Sequence, residues 1–528
     1  MSKNEVYFDN QAIDGMMAGA EKVYRAVSST MGAAGRNVGY RKYGKPAVTN
    51  DGYTIAKLIN PKDDLESQGA GLLTQAAERT NEEVGDATSA TITLGYKMAE
   101  KGIEYVKAGY NPMRLKREMQ DALTIITSEI KDATRPADDE QTLFNIANIS
   151  VENPKIARIV SDAVKRAGPD GNVIVDESTG IEISKEEIDG LRFDKGYISP
   201  WMVTSPERME CVMEDVFVLL TDKNLNMNND LLDLIDALAG RGIKKLVVIA
   251  EDVSGELLAS LISNRQKGIF HTVCVKKPYY KETLEDLAAI TGGQTLTSEK
   301  GIREIRPEHA MMLGKAKRVV VTAKTCMILG QDTQETRERV KERVDSIKNE
   351  LKDAETYETA VLKDRLAKLV GGVVIIKVGA ATEGEMRYWK DKIDDAVAAT
   401  KAAMEEGYVL GGGRLLHDVS RRMSFTRGEE VVRSACSWPM RRIIENAGED
   451  SDKVINGTGW FTRNNKLPDG AVFNAMTGMV SVKPFEEGLI DPAKAERCAL
   501  KNGMSFAINM ITTGTALADL PEEGPGMV

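Results

Sequence analysis

The stretch Gly85-Asp86-Ala87-Thr88-Ser89-Ala90-Thr91, GDATSAT, separates two segments of helical character, TQAAERTNEEV before it and ITLGYKMAEKGIEYV after it. An acidic residue among small hydroxyl residues at a helix start has two readings. The free backbone N–H groups of a helix start can hold an anion, and an Asp beside them can hold a hard cation. Alternatively, Asp or Thr simply N-caps the second helix. The seven residues leave both open, so the decision rests on what the rest of the chain places around them.

At 528 residues, the length is that of about three ordinary domains. Apolar residues make up 42% and charged residues 28%, which is the balance of a globular protein with ample core material. The net charge of −10 argues against general nucleic-acid affinity, which needs a basic face. The five cysteines (Cys211, Cys274, Cys326, Cys436, Cys498) are scattered and never in CxxC spacing, as expected of reduced structural thiols in a cytosolic compartment. Together with His271, His309 and His417 they form neither a zinc pattern nor a catalytic pairing. The N-terminal MSKNEVYFDNQAIDG has no apolar signal core, and the longest apolar runs are strand-sized. A soluble, cytoplasmic protein with no membrane partner is expected.

Residues 11–30 and 64–130 carry helical spacing, with a β-like hairpin between them marked by turn signals at Gly44-Lys45-Pro46 and Asn50-Asp51-Gly52. Arg135-Pro136 breaks the helical pattern and reads as a boundary. Beyond it, β-rich pieces at 216–221, 245–250, 271–276 and 318–322 alternate with amphipathic helices, which predicts an α/β domain with a partly parallel sheet. Residues 334–369 hold two narrow apolar seams, Val340-Val344-Ile347-Leu351 and Leu362-Leu366-Leu369. They predict an antiparallel helical hairpin turning at Asp353-Ala354-Glu355. A β segment at GGVVIIKVGAAT and a long helix over 383–406 follow, and residues 407–528 return to the texture of the first 130.

There is no Walker A pattern, and no GxGxxG follows the first strand of the α/β region, so P-loop and Rossmann chemistry are set aside. Several Gly- and Asp-bearing turns nonetheless recur in order: TMGAAGRN (30–37), TNDGYTIA (49–56), GDATSAT (85–91), IDDA (393–396), LGGG (410–413) and LIDP (489–492). With AGYNPMRLKR, FDKGYISP, IAEDVSGE, LVGGVVIIKVGAATEGEM and MITTGTALADLP, their order and separation resemble those of the group I (60 kDa) chaperonins over nearly the whole chain.

That resemblance implies a multi-domain α/β and α protein with the chaperonin fold. A mainly helical equatorial ATP-binding domain would span 1–133 plus 406–528. A small α/β intermediate hinge domain would take 134–188 plus 373–405, and an α/β apical substrate-binding domain 189–372. Pro136 and Gly407 would lie at the lower hinge, Gly190 and Gly372 at the upper. The resemblance also assigns the nucleotide site: Thr30, Met31, Gly32 and Ala33; Asn50 and Gly52; Asp86, Ala87, Thr88, Ser89 and Ala90 around the phosphates; Gly411 and Gly412; and Asn474, Ala475, Met476 and Asp491 around the adenosine. ATP is the implied cofactor, with Mg2+ on Asp86 and K+ as a further cation. Asp395 would orient the attacking water, with Asp51 as a second carboxylate near the γ-phosphate. Read alone, Asp395 is a helix-surface charge beside Lys392. The chain departs from the family at Ala33-Ala34, Asn50, Ala87 and Ala90; Ala87 adds a Cβ beside the phosphates.

The implied partners are non-native client proteins and a homo-oligomeric, heptameric ring, and in this family the client surface also receives a co-chaperonin lid. Clients would meet Tyr197, Trp201 and Met202 and the helices 229–240 and 256–266. On a helical wheel Leu231, Leu234, Ile235 and Leu238 form a core stripe about 100° wide, and Leu232 widens it to about 160°. Leu257 and Leu261 give the second helix its core edge, and Leu258 and Ile262 extend the arc. Periodicity alone reads such arcs as wide buried faces; the resemblance instead turns Leu232, Ile235, Leu258 and Ile262 toward clients. The implied activity is ATP-dependent enclosure and folding of proteins. The alternative is a ring-shaped holdase or scaffold with degenerate ATPase activity.

Overall fold

The computed structural model describes residues 4–42, 45–168, 172–178, 180–188, 190–206, 208–280, 282–331, 333–353, 361–362, 365–366, 368–369, 373–423, 426–456 and 470–519. The described chain divides into two compact units. Unit 1 comprises residues 1–165, 175–184 and 378–528, and unit 2 residues 166–174 and 185–377. Unit 1 therefore holds the residues expected of the equatorial domain together with most of those expected of the intermediate one. Gly372, the turn at Ala354-Glu355 and the C-terminal Glu522–Val528 lie outside the described residues.

The core of unit 1 is built by long helices, Asp9–Ser28, Asp64–Val84, Thr88–Lys107, Pro112–Ala133 and Ala493–Thr512. Pro112–Ala133 shows why the sequence chooses this form. Asn111 caps it by accepting the N–H groups of Met113 and Arg114, Pro112 fits the first turn, and Leu115, Met119, Ala122, Ile126 and Ile130 bury one stripe. Full burial of each large member of such a stripe contributes about 1.5–3 kcal/mol. Close approach of the helices is set by paired glycines. A Cβ on Gly19 would sit 1.8 Å from the Glu66 carbonyl oxygen, and one on Gly69 would sit 1.8 Å from that of Met16. Gly95 and Gly503 meet likewise, since a Cβ on Gly95 would come within 3.1 Å of the Gly503 Cα. Between the helices Thr80 and Thr91 share a buried 2.8 Å hydrogen bond, and the Asn502 amide donates to Thr80 Oγ1 at 3.0 Å. The two chain ends are joined as a β pair, Asn4–Phe8 antiparallel to Thr515–Asp519.

The expected hairpin forms between Val38–Lys42 and Lys45–Thr49. The segment after it differs from the reading, because Gly52–Leu58 is a helix. Its Asn-Asp-Gly signal is a helix cap, in which Asp51 accepts the N–H groups of Tyr53 and Thr54 at 3.3 and 2.8 Å.

Unit 2 carries a seven-stranded mixed sheet. The main path runs His271–Lys276, Lys245–Ala250, Cys211–Thr221, Gly314–Val321, Cys326–Gly330, Gly190–Phe193, and Thr295–Leu296 pairs with Cys211–Thr221. The first three strands are parallel and the later pairings antiparallel, so the expected partly parallel sheet is present. Helices Leu232–Gly240, Gly255–Gln266 and Glu282–Thr291 supply Leu234, Leu238, Leu257, Leu261, Leu284 and Leu287 to its core. The charged helix Gln334–Asp353 is held there by a buried acid: Asp286, fully buried, takes Arg343 Nε at 2.7 Å and Arg365 Nε at 2.8 Å. All five cysteines are buried and free, and desolvation raises each thiol, Cys211 and Cys498 to about 11. Among the described residues no helix is long and apolar enough to cross a membrane.

Candidate functional site

Three tight turns of unit 1 converge. The first follows helix Asp9–Ser28, where Thr30 Oγ1 donates back to the Val27 carbonyl and Gly32 takes φ +78°. The Asn446 amide ties this turn down, donating to the carbonyls of Ser28 and Met31, each at 2.9 Å. The second is the Asp51 cap. The third is Gly85-Asp86-Ala87. Gly85 ends its helix in the left-handed region at φ +75°, its N–H bonded to the Asn81 carbonyl. Ala87 is left-handed as well, at φ +62°, and no side chain caps helix Thr88–Lys107 behind it. The N-cap reading of GDATSAT thus fails for Asp86 and Thr88. Asp86 Oδ1 accepts only the adjacent Ala87 N–H, and the first N–H groups of a 20-residue helix are left without intrahelical partners.

Gly52 brings the second and third turns together. A Cβ there would lie 2.3 Å from Ser89 Oγ. Gly85 does the same for the long helix Glu383–Glu406, since a Cβ would meet that of Ala398 at 2.5 Å. Ala398 is one turn beyond Asp395, so this contact carries Asp395 to the turns. From the C-terminal side, Gly412 (φ +65°) donates its N–H to Asp491 Oδ2 at 2.9 Å, and strand Tyr408–Leu410 pairs with Ile490–Pro492.

The result is a cavity of ≈ 610 Å3, within the range of small-molecule sites. Asp51, Asp395 and every residue expected at the nucleotide site line it, with the exception of Gly411. Gly411 is buried behind the wall, where a Cβ would lie 3.0 Å from the Ile490 backbone; Gly413 lines the cavity in its place. Met476 sits at the rim, 66% exposed, and Asn474 Oδ1 accepts the Met476 N–H at 3.0 Å. Sequence reasoning missed a further wall, Asn145, Asn148 and Glu152 from helix Glu140–Val151 and its end, together with Lys392 and Glu496. On their own segments these are ordinary helix-surface residues, and no motif marks them.

The carboxylates dominate the electrostatics. Desolvation, with the charges of Asp86, Asp51, Asp394 and Asp391, holds Asp395 well above the usual carboxylate range. Asp86 is raised by desolvation against the opposing Ala87 N–H and the Lys392 charge. Burial and Asp86 lift Asp491 to about 6, and burial, Asp491 and Asp86 lift Glu496 to about 8. Anionic walls of this kind favour a cation or a hydrogen-bond donor. Among the described residues no group of three or more His, Cys, Asp or Glu side chains could hold a metal ion. Asp86 on the cavity wall is a carboxylate of the kind that, with a ligand's own phosphate oxygens, suits a hard ion such as Mg2+.

The surface expected for clients is arranged differently. Trp201 is 70% exposed, while Tyr197, Leu232, Leu258 and Ile262 are half-buried against the unit 2 core. Met202 and Ile235 are not on the surface. Met202 is fully buried, its sulfur accepting the Cys274 N–H at 3.3 Å, and Ile235 lies with Leu231, Leu234 and Leu238 in the core. For Ile235 the periodicity reading was the correct one: a helix beginning at Leu232 has room for one buried stripe, and position 235 is in it.

Residues 23–518 match the TCP-1/cpn60 chaperonin family, and the chain belongs to that family. Its fold is similar to that of two crystal structures of the chaperonin gp146 from the bacteriophage EL 2 (Pseudomonas aeruginosa), both obtained in the presence of ATP-BeFx. Crystal form II aligns with a TM-score of 0.70 at 19% identity, and crystal form I with 0.63 at 20%. Each alignment covers 98% of this chain and 99% of the phage chain.

Proposed function

We propose that this chain is the subunit of an ATP-driven, ring-forming chaperonin of group I type, which binds non-native proteins and promotes their folding. The observation that carries this reading is the convergence on one cavity of the uncapped start of helix Thr88–Lys107, Asp86, Asp51 and Asp395. The N–H groups of Thr88, Ser89 and Ala90 hold phosphate oxygens, as helix starts do. Asp86 would hold Mg2+, which when bound neutralises phosphate charge during transfer. Asp395 orients the attacking water. Asp51, its two oxygens fixed by Tyr53 and Thr54, keeps a locked carboxylate beside it. Asn474, Ala475, Met476 and Asp491 hold the adenosine end. Phosphoryl transfer depends chiefly on such positioning and charge placement.

The three-domain division given by the resemblance, a heptameric ring, K+ as a second cation, a cytoplasmic setting and a virus-borne origin belong to the same proposal. Trp201, with the half-buried Tyr197, Leu232, Leu258 and Ile262, supplies the apolar contact for clients. Steady-state phosphate release with a denatured client, comparing the natural chain with Asp395→Ala, tests it. Loss of both phosphate release and client recovery supports the mechanism. Client retention without phosphate release by the natural chain would establish the holdase reading, and unchanged rates in Asp395→Ala would remove Asp395 from the mechanism.

A further inference from the structure

The charge of the cavity raises a difficulty for any phosphate ligand. Its described lining holds seven acidic side chains and a single basic one, Lys392. An uncapped helix start contributes only about half an elementary charge. Lys392 lies one turn before Asp395 on helix Glu383–Glu406, hence on the same face. Its side chain is 15% exposed, and its Nζ is held 3.1 Å from Glu152 Oε1, at the left-handed end (φ +53°) of helix Glu140–Val151. The charge of Lys392 already acts on Asp86, where it opposes the upward shift.

The ion pair adds little that the two helices lack without it. They are packed through Leu143, Ile146, Ala399 and Ala403, which are all buried. A single Lys–Glu pair that is partly open to solvent contributes about 0–1 kcal/mol. A lysine kept in a predominantly anionic cavity, one turn from the residue proposed to orient water, is placed for a different task.

We propose that Lys392 is a catalytic residue that leaves Glu152 and donates to the non-bridging oxygens of the transferred γ-phosphoryl group. This rests on the nucleotide reading of the cavity. In the step, the oxygen of the attacking water bonds to the γ-phosphorus as the bridging oxygen–γ-phosphorus bond breaks. ADP departs with that electron pair, and the water's proton passes to Asp395 and then to solvent. Lys392 keeps its own proton throughout and serves as a compact point charge, the usual manner of a phosphate-binding lysine. Glu152 parks the ammonium until the third phosphate arrives, so the contact distinguishes ATP from ADP.

The test is carried out on the full chain with Mg2+, measuring binding of ADP and of AMP-PNP together with steady-state phosphate release. Lys392→Gln is expected to keep ADP affinity within about threefold, to weaken AMP-PNP by roughly tenfold and to lower kcat by roughly 100-fold. Lys392→Arg restores part of the rate and serves in its place where the glutamine variant fails to fold. Glu152→Gln, which frees the lysine, is expected to tighten AMP-PNP. An equal loss of ADP and AMP-PNP affinity, or an unchanged kcat, would overturn the assignment while leaving the nucleotide reading intact. If the natural chain binds neither nucleotide, both fall.

Discussion

The cavity of unit 1 and the helices Leu232–Gly240 and Gly255–Gln266 of unit 2 present opposite kinds of surface. The cavity is walled by half-buried aspartates and by the start of helix Thr88–Lys107, whose first N–H groups have no intrahelical partners. The helix pair offers aliphatic side chains, and most of their surface is satisfied by the core beneath. A polar site is defined by particular atoms at particular distances, so each residue in it has one place to be. An apolar surface is defined by area alone, and area used in the core is not available to a client.

The largest effect expected from breaking the polar site is at Asp395. Replacement by Ala should slow phosphate release by roughly 100-fold or more while nucleotide binding persists, in a turnover assay set beside a binding isotherm. On the apolar side, Ile235→Ala should cost unit 2 about 2–4 kcal/mol in denaturant unfolding, as deletion of a buried Ile side chain does. Leu258→Ser, at a half-buried position, should cost less stability and more client capture. Equal stability losses at the two positions would show that both belong to the core.

A third expectation concerns pH. Burial, aided by Arg414, Arg421 and Arg441 and opposed by Asp418, lowers His417 to about 4 from an ordinary value of 6.5. The unfolded chain therefore binds the proton more readily than the folded one between those values. The stability is whole above pH 6.5 and is lost as pH falls toward 4, by roughly 3 kcal/mol in all. His417→Gln should flatten that part of the profile in thermal melts taken from pH 7 to 4. The smallest effect is expected at Ala87. Its φ of +62° carries a Cβ penalty that Ala87→Gly removes, for a gain of up to about 1 kcal/mol, visible as a rise of a few degrees or less in Tm.

Much of the cavity was legible in the chain through the resemblance of its Gly- and Asp-bearing turns to those of the family, since each turn taken alone reads as an ordinary loop or cap. Gly32, Gly85 and Gly412 occupy left-handed backbone, Asp51 caps helix Gly52–Leu58, and Asp86 and Asp491 bring two further carboxylates to the wall. Lys392, Glu152 and Glu496 could not be found this way. Each is a charged residue on a helix or at its end, and only the packing of Gly85 against Ala398 and the pairing of Tyr408–Leu410 with Ile490–Pro492 turn such positions inward. Helix Gly52–Leu58 is hidden in the sequence because Asn-Asp-Gly fits a turn and a cap equally well. In unit 2 four of the seven strands of the sheet were legible from their apolar runs, whereas Gly190–Phe193, Thr295–Leu296 and Cys326–Gly330 were not. Whether Ile235 faced core or client was not, because a wide apolar arc looks the same in both cases.

The β pair that joins the two ends of unit 1 bears on how the protein is made. Phe8 lies beside Thr515, and the Asp9 N–H donates to the Gly514 carbonyl, so the N-terminal helices find these neighbours only after the chain has been made as far as residue 515. At about 5–20 residues per second, the roughly 500 intervening residues take about 25–100 s to emerge. For that interval Ala12, Val23, Leu73 and Ile92 are without the helix Ala493–Thr512 that completes their core. Unit 2, whose chain is nearly continuous, can fold on the ribosome meanwhile. A protein of the chaperonin family therefore begins its own life as a nascent chain with its apolar surface waiting, in the same predicament as the clients proposed for it.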